Sequence, residues 1–237
     1  MKKTSMFLIL IILMSAYRPV IHYLLPELGE YETTLLRKAL QAGTVIAFIT
    51  KAGMWDKVGG LRKISKSSLL LILPVFLLSF CTYLYGVKVT FVWDILILIP
   101  ITLLIGVIEE LEFRGVIYTY LEQEGTVIKI MLSSLLFGLV HLLNLFYTRD
   151  LLGVIVQMIF ATGIGMIFAV VRHKTNLILP QILMHALWDF NQKMTNNNSS
   201  EPVVDIINYS SLALVILYGC FMVYWVRKEK KPALEIS

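Results

Sequence analysis

The chain has 237 residues, of which 57% are hydrophobic and 16% are charged, and its formal net charge is +5. A soluble globular domain is usually about 45–50% apolar and about 25% charged, so this composition excludes an ordinary water-soluble protein. The apolar residues come in repeated runs of membrane-spanning length, which predicts an all-α polytopic membrane protein. The basic charge is then interpreted by its position along the chain, not as a sign of nucleic-acid binding.

The apolar runs predict about eight transmembrane helices packed in one bundle. Their predicted limits are residues 5–25, 36–52, 67–86, 91–121, 126–146, 151–172, 176–194 and 204–226. The segments between them are rich in charged and turn-forming residues, as in EQEG at 122–125. Because no repeat or separate soluble region interrupts the pattern, residues 1–237 are predicted to form a single membrane domain.

Lysine and arginine are distributed unequally between the two predicted sides of the membrane. One side has 13 of them, which are Lys2, Lys3, Lys51, Lys57, Arg62, Lys63, Lys66, Arg172, Lys174, Arg227, Lys228, Lys230 and Lys231. The other side has five, which are Arg37, Lys38, Lys88, Arg149 and Lys193. Since short cytoplasmic loops carry the excess of basic residues, both termini are predicted to lie in the cytoplasm.

The fourth helix contains an unusual group of charged residues in the stretch IGVIEELEFRGVIY, residues 105–118. A charged side chain within a span costs a few kcal/mol and normally faces a cavity or a partner. Glu110 and Arg114 are four residues apart on one helix face and are predicted to pair. Glu109 has no such partner within its own helix, which indicates a functional role.

Two further helices carry polar residues at comparable depth. The fifth contains His141 in FGLVHLLN, with Asn144 one turn beyond it as a predicted orienting partner. The seventh contains His185 and Asp189, four apart on one face, in ILMHALWDF. Depths estimated from the helical rise of about 1.5 Å per residue predict that these groups meet Glu109 in a polar cavity in the cytoplasmic half of the membrane.

A glutamate, two histidines and an aspartate can activate water in two ways. The carboxylate can take a proton from water directly and later deliver it to a leaving amine. Alternatively, Glu109, His141 and His185 can hold a divalent metal ion such as zinc, with an open position for water. The residues leave both alternatives open, and either would serve hydrolysis of an amide within the bilayer.

Three short motifs in the chain occur together in a known family. EELEFRG follows the pattern E-E-x-x-x-R, FGLVH follows F-x-x-x-H, and HALWD follows H-x-x-x-(N/D). In this order the motifs resemble those of the intramembrane CAAX-protease and bacteriocin-processing family, also called the Abi family, in its bacterial branch. The resemblance covers residues 90–195, which are predicted to be the protease core.

The resemblance implies a role for each matching residue. Glu109, with His141, would activate the attacking water, and Glu110 with Arg114 would form a structural pair. His185 and Asp189 would stabilise the oxyanion or complete a metal site. The family is described both as metallopeptidases and with a metal-free scheme, so zinc and a metal-free mechanism both remain alternatives.

The resulting functional prediction is an intramembrane endopeptidase in a bacterial cell membrane. Its expected substrate is a membrane-associated or lipid-linked peptide, such as a bacteriocin or signal-peptide precursor, with a role in bacteriocin self-immunity. Nucleic acid is not an expected partner, and the oligomeric state is left open. The alternatives are a non-catalytic scaffold or immunity protein of the same family, and a proton-coupled transporter with Glu109, His141 and His185 as its relay.

Overall fold

The computed structural model of the chain describes residues 16–60, 66–88, 91–196 and 202–229. Within these residues the chain forms eight helices and no strand, which confirms the predicted all-α fold. In chain order they are α1 (residues 16–24), α2 (Glu30–Lys51), α3 (Lys66–Phe80), α4 (Val92–Tyr120), α5 (Thr126–Thr148), α6 (Leu151–Thr175), α7 (Leu179–Met194) and α8 (Pro202–Lys228). Residues 5–15 of the first predicted span lie outside the described residues.

Five of the described helices are long and apolar enough to cross a membrane, namely α4, α5, α6, α8 and α3 together with the 3-10 turn that extends it to Leu84. Helix α7 has 16 residues, and α2 contains Arg37 and Lys38, so neither reaches that combination of length and apolarity. The chain is therefore a polytopic helical membrane protein. Over the residues described, five of the eight predicted spans meet the length and apolarity of a membrane-crossing helix.

Helix α6 lies at the centre of the bundle. Of its most apolar stretch, 61% is buried inside the protein, against 28–33% for the other four membrane-spanning helices. Helices α5 and α8 pack mainly against α6, whereas α2 and α7 pack mainly against α4. The bundle thus has two packed groups of helices, and the polar residues singled out above lie between them.

Helices α4 and α7 approach each other closely at Gly106. A Cβ atom at this position would lie 2.5 Å from the carbonyl oxygen of Ile182 and 3.2 Å from the backbone nitrogen of Ala186. Only glycine permits this contact between two helix backbones. The close approach brings the residues one turn further along α4, Glu109 and Glu110, next to α7.

Two helices change their winding near the polar residues. Helix α4 is α-helical from Val92 to Glu110, then takes a π-helical turn from Leu111 to Ile117. Helix α5 is α-helical from Thr126 to Val140 and continues as a 3-10 turn, His141–Asn144. Such irregular turns redirect side chains and are frequent at functional sites.

The two ends of the bundle differ in how tightly they are closed. At one end, the backbone of the segment between α2 and α3 is tied to the start of α7, because Gly60 exchanges backbone hydrogen bonds with Asn176 and Ile178. Arg172, 5% exposed, donates a 2.6 Å hydrogen bond to the carbonyl of Lys57. Over the described residues these bonds close this end of the bundle, called the sealed end below, which carries more lysines and arginines than the other end.

Candidate active site

Glu110 connects α4 with α7 inside the protein. Its Oε1 accepts a 3.0 Å hydrogen bond from Arg114 Nη1, and the side chains of both residues are 0% exposed. The same oxygen accepts a 2.8 Å hydrogen bond from His185 Nδ1. The predicted pair of Glu110 and Arg114 is thus present, and it also holds the imidazole of His185 in place.

Aromatic rings surround the Arg114 guanidinium. Its central carbon lies 4.2 Å from the ring centroid of Phe137 and 5.6 Å from that of Phe168. Over the described residues, Arg114 Nε and Nη2 and Glu110 Oε2 have no hydrogen-bond partner. A buried charge is held by its partner charge and by ring faces, so we expect the pair to act as a rigid support rather than as a reacting group.

Glu109 lies beside the other nitrogen of the same imidazole. Its Oε2 is 3.5 Å from His185 Nε2, and its side chain is 24% exposed, against 0% for Glu110. The two adjacent glutamates therefore have different surroundings, because they lie on different faces of α4. One is sealed in an ion pair, while the other is within reach of water and of a histidine, as expected for a general base.

His141 is held by its own helix. Its Nδ1 lies 2.9 Å from the backbone carbonyl of Phe137, a distance that makes Nδ1 the protonated nitrogen and leaves Nε2 as an acceptor. His141 also interacts electrostatically with Glu109. The ring of Phe137 packs edge-on against both histidines, with its centroid 5.2 Å from that of His141 and 5.8 Å from that of His185.

The structure places Asp189 at the edge of this group and gives Asn144 a partner on α6. Asp189 Oδ1 is 4.0 Å from His185 Nε2, which is too long for a hydrogen bond, and its side chain is 27% exposed. Asn144 Nδ2 donates a 2.9 Å hydrogen bond to Gln157 of α6. The recorded partner of Asn144 is therefore Gln157 and not His141, and the orienting role assigned to Asn144 stays a prediction.

A cavity of about 810 Å³ adjoins the site. Its inner wall includes Phe137, His141, His185 and Phe168, and Asp189 lies on its wall as well. Volumes of about 300–1,000 Å³ are usual for sites that bind a small molecule or a segment of chain. The histidines and Asp189 are thus presented to a space large enough for a substrate.

This cavity opens at the end of the bundle opposite the sealed one. Its outer wall is formed by exposed residues at the start of α6, the end of α7 and the start of α8, including Asp150, Leu152, Lys193, Asp205 and Tyr209. With the orientation predicted from lysine and arginine, this is the outer side, which differs from the predicted cavity in the cytoplasmic half. The helical rise gives an estimate of how deep a residue lies along its helix. The end at which the cavity opens depends instead on which loops close over the bundle.

Lys38 of α2 is a residue at this site that the sequence analysis did not single out. It shares a helix face with the buried residues Ala42, Val45 and Ile49, and it interacts electrostatically with Glu109 and Asp189. The sequence contained a sign of this position, because a lysine on the apolar face of a helix, here followed by apolar residues at spacings of four, three and four, is unusual.

The predicted ligands of a metal ion are Glu109, His141 and His185. Among the residues that the structure describes, no three His, Cys, Asp or Glu side chains converge as metal ligands would. Both nitrogens of His185 face carboxylates, and Nδ1 of His141 is bonded to a backbone carbonyl. The arrangement therefore fits a hydrogen-bonded acid–base site and does not fit a zinc site at Glu109, His141 and His185.

The fold and the site define the class of this protein: a helical membrane protein with acid–base side chains gathered beside an internal cavity. Residues 91–191 match the model of the family described as Type II CAAX prenyl endopeptidase Rce1-like. The resemblance drawn from the three motifs is thereby confirmed, and the family that this part of the chain matches is one of intramembrane proteases. Comparison with curated proteins and with solved structures gave no match.

The matched region contains all three motifs, from Glu109 to Asp189, and falls within the predicted core of residues 90–195. The limits of that core and the single domain of residues 1–237 stay predictions. The match supports an intramembrane peptidase acting on a peptide.

Proposed function

We propose that the chain is an intramembrane endopeptidase of a bacterial cell membrane, with both termini in the cytoplasm. Its substrate is a membrane-associated peptide, such as a bacteriocin or signal-peptide precursor, and its physiological role includes bacteriocin self-immunity. The observation that carries the proposal is the position of Glu109. This carboxylate is partly exposed, lies 3.5 Å from His185 Nε2 and interacts electrostatically with His141, and both histidines line a cavity of substrate size.

In the proposed reaction, Glu109 and His141 activate a water molecule. A proton of the water moves to the Glu109 carboxylate while the water oxygen bonds to the carbonyl carbon of the scissile amide. His141 Nε2 accepts a hydrogen bond from the same water and orients it, because Nδ1 is already bonded to Phe137. Positioning a nucleophile in this way removes much of the entropic barrier of the step.

The negative charge that develops on the amide oxygen is met by His185. Nδ1–H of His185 donates a hydrogen bond to Glu110, and the carboxylates around the ring favour its doubly protonated form, which presents Nε2–H to the substrate. Asp189 lies beyond Nε2 and stabilises the protonated form of the ring through space. When the carbon–nitrogen bond breaks, the proton held by Glu109 passes to the leaving amine, so the proton balance closes without a metal.

The experiment that tests this proposal compares two neighbouring glutamates. The wild type, Glu109→Gln and the control Glu112→Gln are purified in lipid nanodiscs and assayed with a mixed set of internally quenched peptides. A general base contributes about 10²–10⁴-fold to rate, so we expect a loss of that size in Glu109→Gln and activity within a few-fold of wild type in Glu112→Gln. Full activity in Glu109→Gln would show that another group activates the water.

A further outcome separates the enzyme from a scaffold of the same family. Immunity that survives Glu109→Gln and His141→Ala, in cells where both variants reach the membrane in normal amounts, would favour a binding role and overturn the proposed catalysis. Proton flux into liposomes that disappears with Glu109→Gln would instead favour a transporter.

A further inference from the structure

The cavity beside the histidines reaches exposed residues at one end of the bundle, and that end has a definite chemical character. Its exposed rim combines carboxylates, Asp150 and Asp205, with the apolar or aromatic side chains of Leu152 and Tyr209. Deeper in, the wall is lined by aromatic rings, including Phe160, Trp188 and Phe168. A mixed rim above an aromatic wall suits an unfolded peptide segment that brings apolar side chains into the site.

Among the described residues, the opposite end of the bundle is tied together by hydrogen bonds and an ion pair. There, Arg172 donates to the carbonyl of Lys57, and Gly60 is hydrogen-bonded to Asn176 and Ile178. Lys57 also pairs with Glu122 at 3.1 Å, which joins this segment to the end of α4. These contacts join the segment between α2 and α3 to the ends of α4 and α6 and to the start of α7.

The distribution of basic residues assigns a side of the membrane to each end. The sealed end holds Lys57, Arg172 and Lys174 and belongs to the side with 13 basic residues, whereas the open end holds Arg149 and Lys193 and belongs to the side with five. Two basic residues within helices do not change this imbalance. Lys129 interacts with Arg172 at the sealed end, and Arg18 stacks on Tyr147 at the open end.

We propose that the substrate is a peptide exposed on the outer side of the membrane, which enters the site through the mouth between the start of α6, the end of α7 and the start of α8. This inference rests on the proposed peptidase function and specifies its substrate class as an exported or outward-facing membrane-anchored peptide. The side of access follows from the sealed basic end, the open rim and the positive-inside distribution.

The depth of the site adds a length requirement to the substrate. His185 is nine residues before Met194, the last residue of α7, which places it roughly 14 Å below that end of the helix. An extended peptide covers about 3.3 Å per residue, so about four extended residues are needed between the mouth and the scissile bond. A cleavage site inside a folded domain would not reach the histidines.

The first test measures the side of access without using activity. Single cysteines are introduced by Asp205→Cys at the rim and by Glu124→Cys at the sealed end, in a background with Cys81→Ser and Cys220→Ser. Intact cells are treated with a membrane-impermeant maleimide, with permeabilised cells as the reference. We expect Asp205→Cys to be labelled at least tenfold more than Glu124→Cys in intact cells, with both labelled equally after permeabilisation.

The reverse pattern, or equal labelling of both positions in intact cells, would overturn the proposal. The same labelling in a Glu109→Gln background should be unchanged, because access does not depend on catalysis. A wild type that cleaves none of the peptides but shows the expected labelling would therefore count against the proposed function and leave the assigned side of access standing.

The second test asks whether the rim is the substrate's route. Leu152→Cys and Glu124→Cys are purified in nanodiscs, and each is assayed before and after reaction with a bulky maleimide. We expect modification to abolish most of the cleavage by Leu152→Cys and to leave that of Glu124→Cys unchanged. Undiminished cleavage by modified Leu152→Cys would show that the peptide does not pass this mouth.

Discussion

His185 on α7 is joined to Glu110 on α4 by a hydrogen bond of 2.8 Å, and this bond sets the geometry of the whole site. Glu110 is itself held by Arg114, so the imidazole cannot turn without losing its hydrogen bond to a buried, fixed carboxylate. With Nδ1 fixed in this way, Nε2 is directed toward Glu109. The two adjacent glutamates thus lie beside the two nitrogens of one ring. Glu110 supports the ring at Nδ1, and Glu109 is the proposed reacting group next to Nε2.

Removing one member of the buried ion pair should destabilise the protein strongly. Breaking such a pair leaves an uncompensated charge and typically costs about 3–5 kcal/mol. We therefore expect Arg114→Leu to lower the midpoint of thermal unfolding in detergent markedly and to reduce cleavage, because His185 loses its support. The double variant Glu110→Leu/Arg114→Leu should regain part of the stability without regaining activity. A double variant less stable than Arg114→Leu would contradict this account.

Adding a methyl group at Gly106 should separate α4 from α7. The new Cβ would lie 2.5 Å from the carbonyl oxygen of Ile182, a backbone atom that cannot move without shifting the helix. We expect Gly106→Ala to cost about 1–3 kcal/mol of stability and to reduce kcat by moving His185 away from Glu109.

Gly43 on α2 provides the matched control, since a Cβ there meets nothing within 4 Å. Replacing a helical glycine by alanine in open space is favourable by roughly 0.5–1 kcal/mol. Gly106→Ala should therefore lower the free energy of unfolding, whereas Gly43→Ala should raise it slightly. Unfolding and cleavage assays on both variants check this. Gly106→Ala with normal stability and normal kcat would show that the close helix contact is not needed.

Lys38 should act as a positioning residue for the carboxylates of the site. Replacing it by methionine keeps the length of the side chain but removes the positive charge near Glu109 and Asp189. We expect Lys38→Met to lower kcat roughly tenfold, about 1.4 kcal/mol, with a smaller change in KM, and Lys38→Arg to restore most of it. Lys51→Met, at the exposed end of the same helix, should be neutral. An equal loss in Lys38→Met and Lys38→Arg would indicate a packing role instead.

Removing divalent metal should leave cleavage intact. The site geometry does not bring three metal-ligating side chains together within the described residues, and the proposed reaction needs no metal. We expect purified protein to cleave peptides equally before and after dialysis against a chelator. Zinc content should be equally low in wild type and in the His141→Ala/His185→Ala variant. About one zinc per chain, lost in that variant together with activity, would require a metal mechanism.

The sequence alone determined the helical membrane architecture, because apolar runs of spanning length have few alternatives to a transmembrane helix. It also indicated the pair of Glu110 and Arg114, since residues four apart on a helix meet regardless of what surrounds them. The order of the three motifs was sufficient to predict the family, which the match over residues 91–191 confirmed. These features depend on local spacing and composition.

Only the tertiary structure decided how the helices share these residues. The bond between His185 and Glu110 depends on the contact at Gly106, which joins positions 76 residues apart in the chain. The partner of Asn144, the proximity of Lys38 and the open end of the cavity likewise depend on which helices are neighbours and which loops seal the bundle. Residue spacing along one helix carries no information about these distances, because they are set by packing between helices.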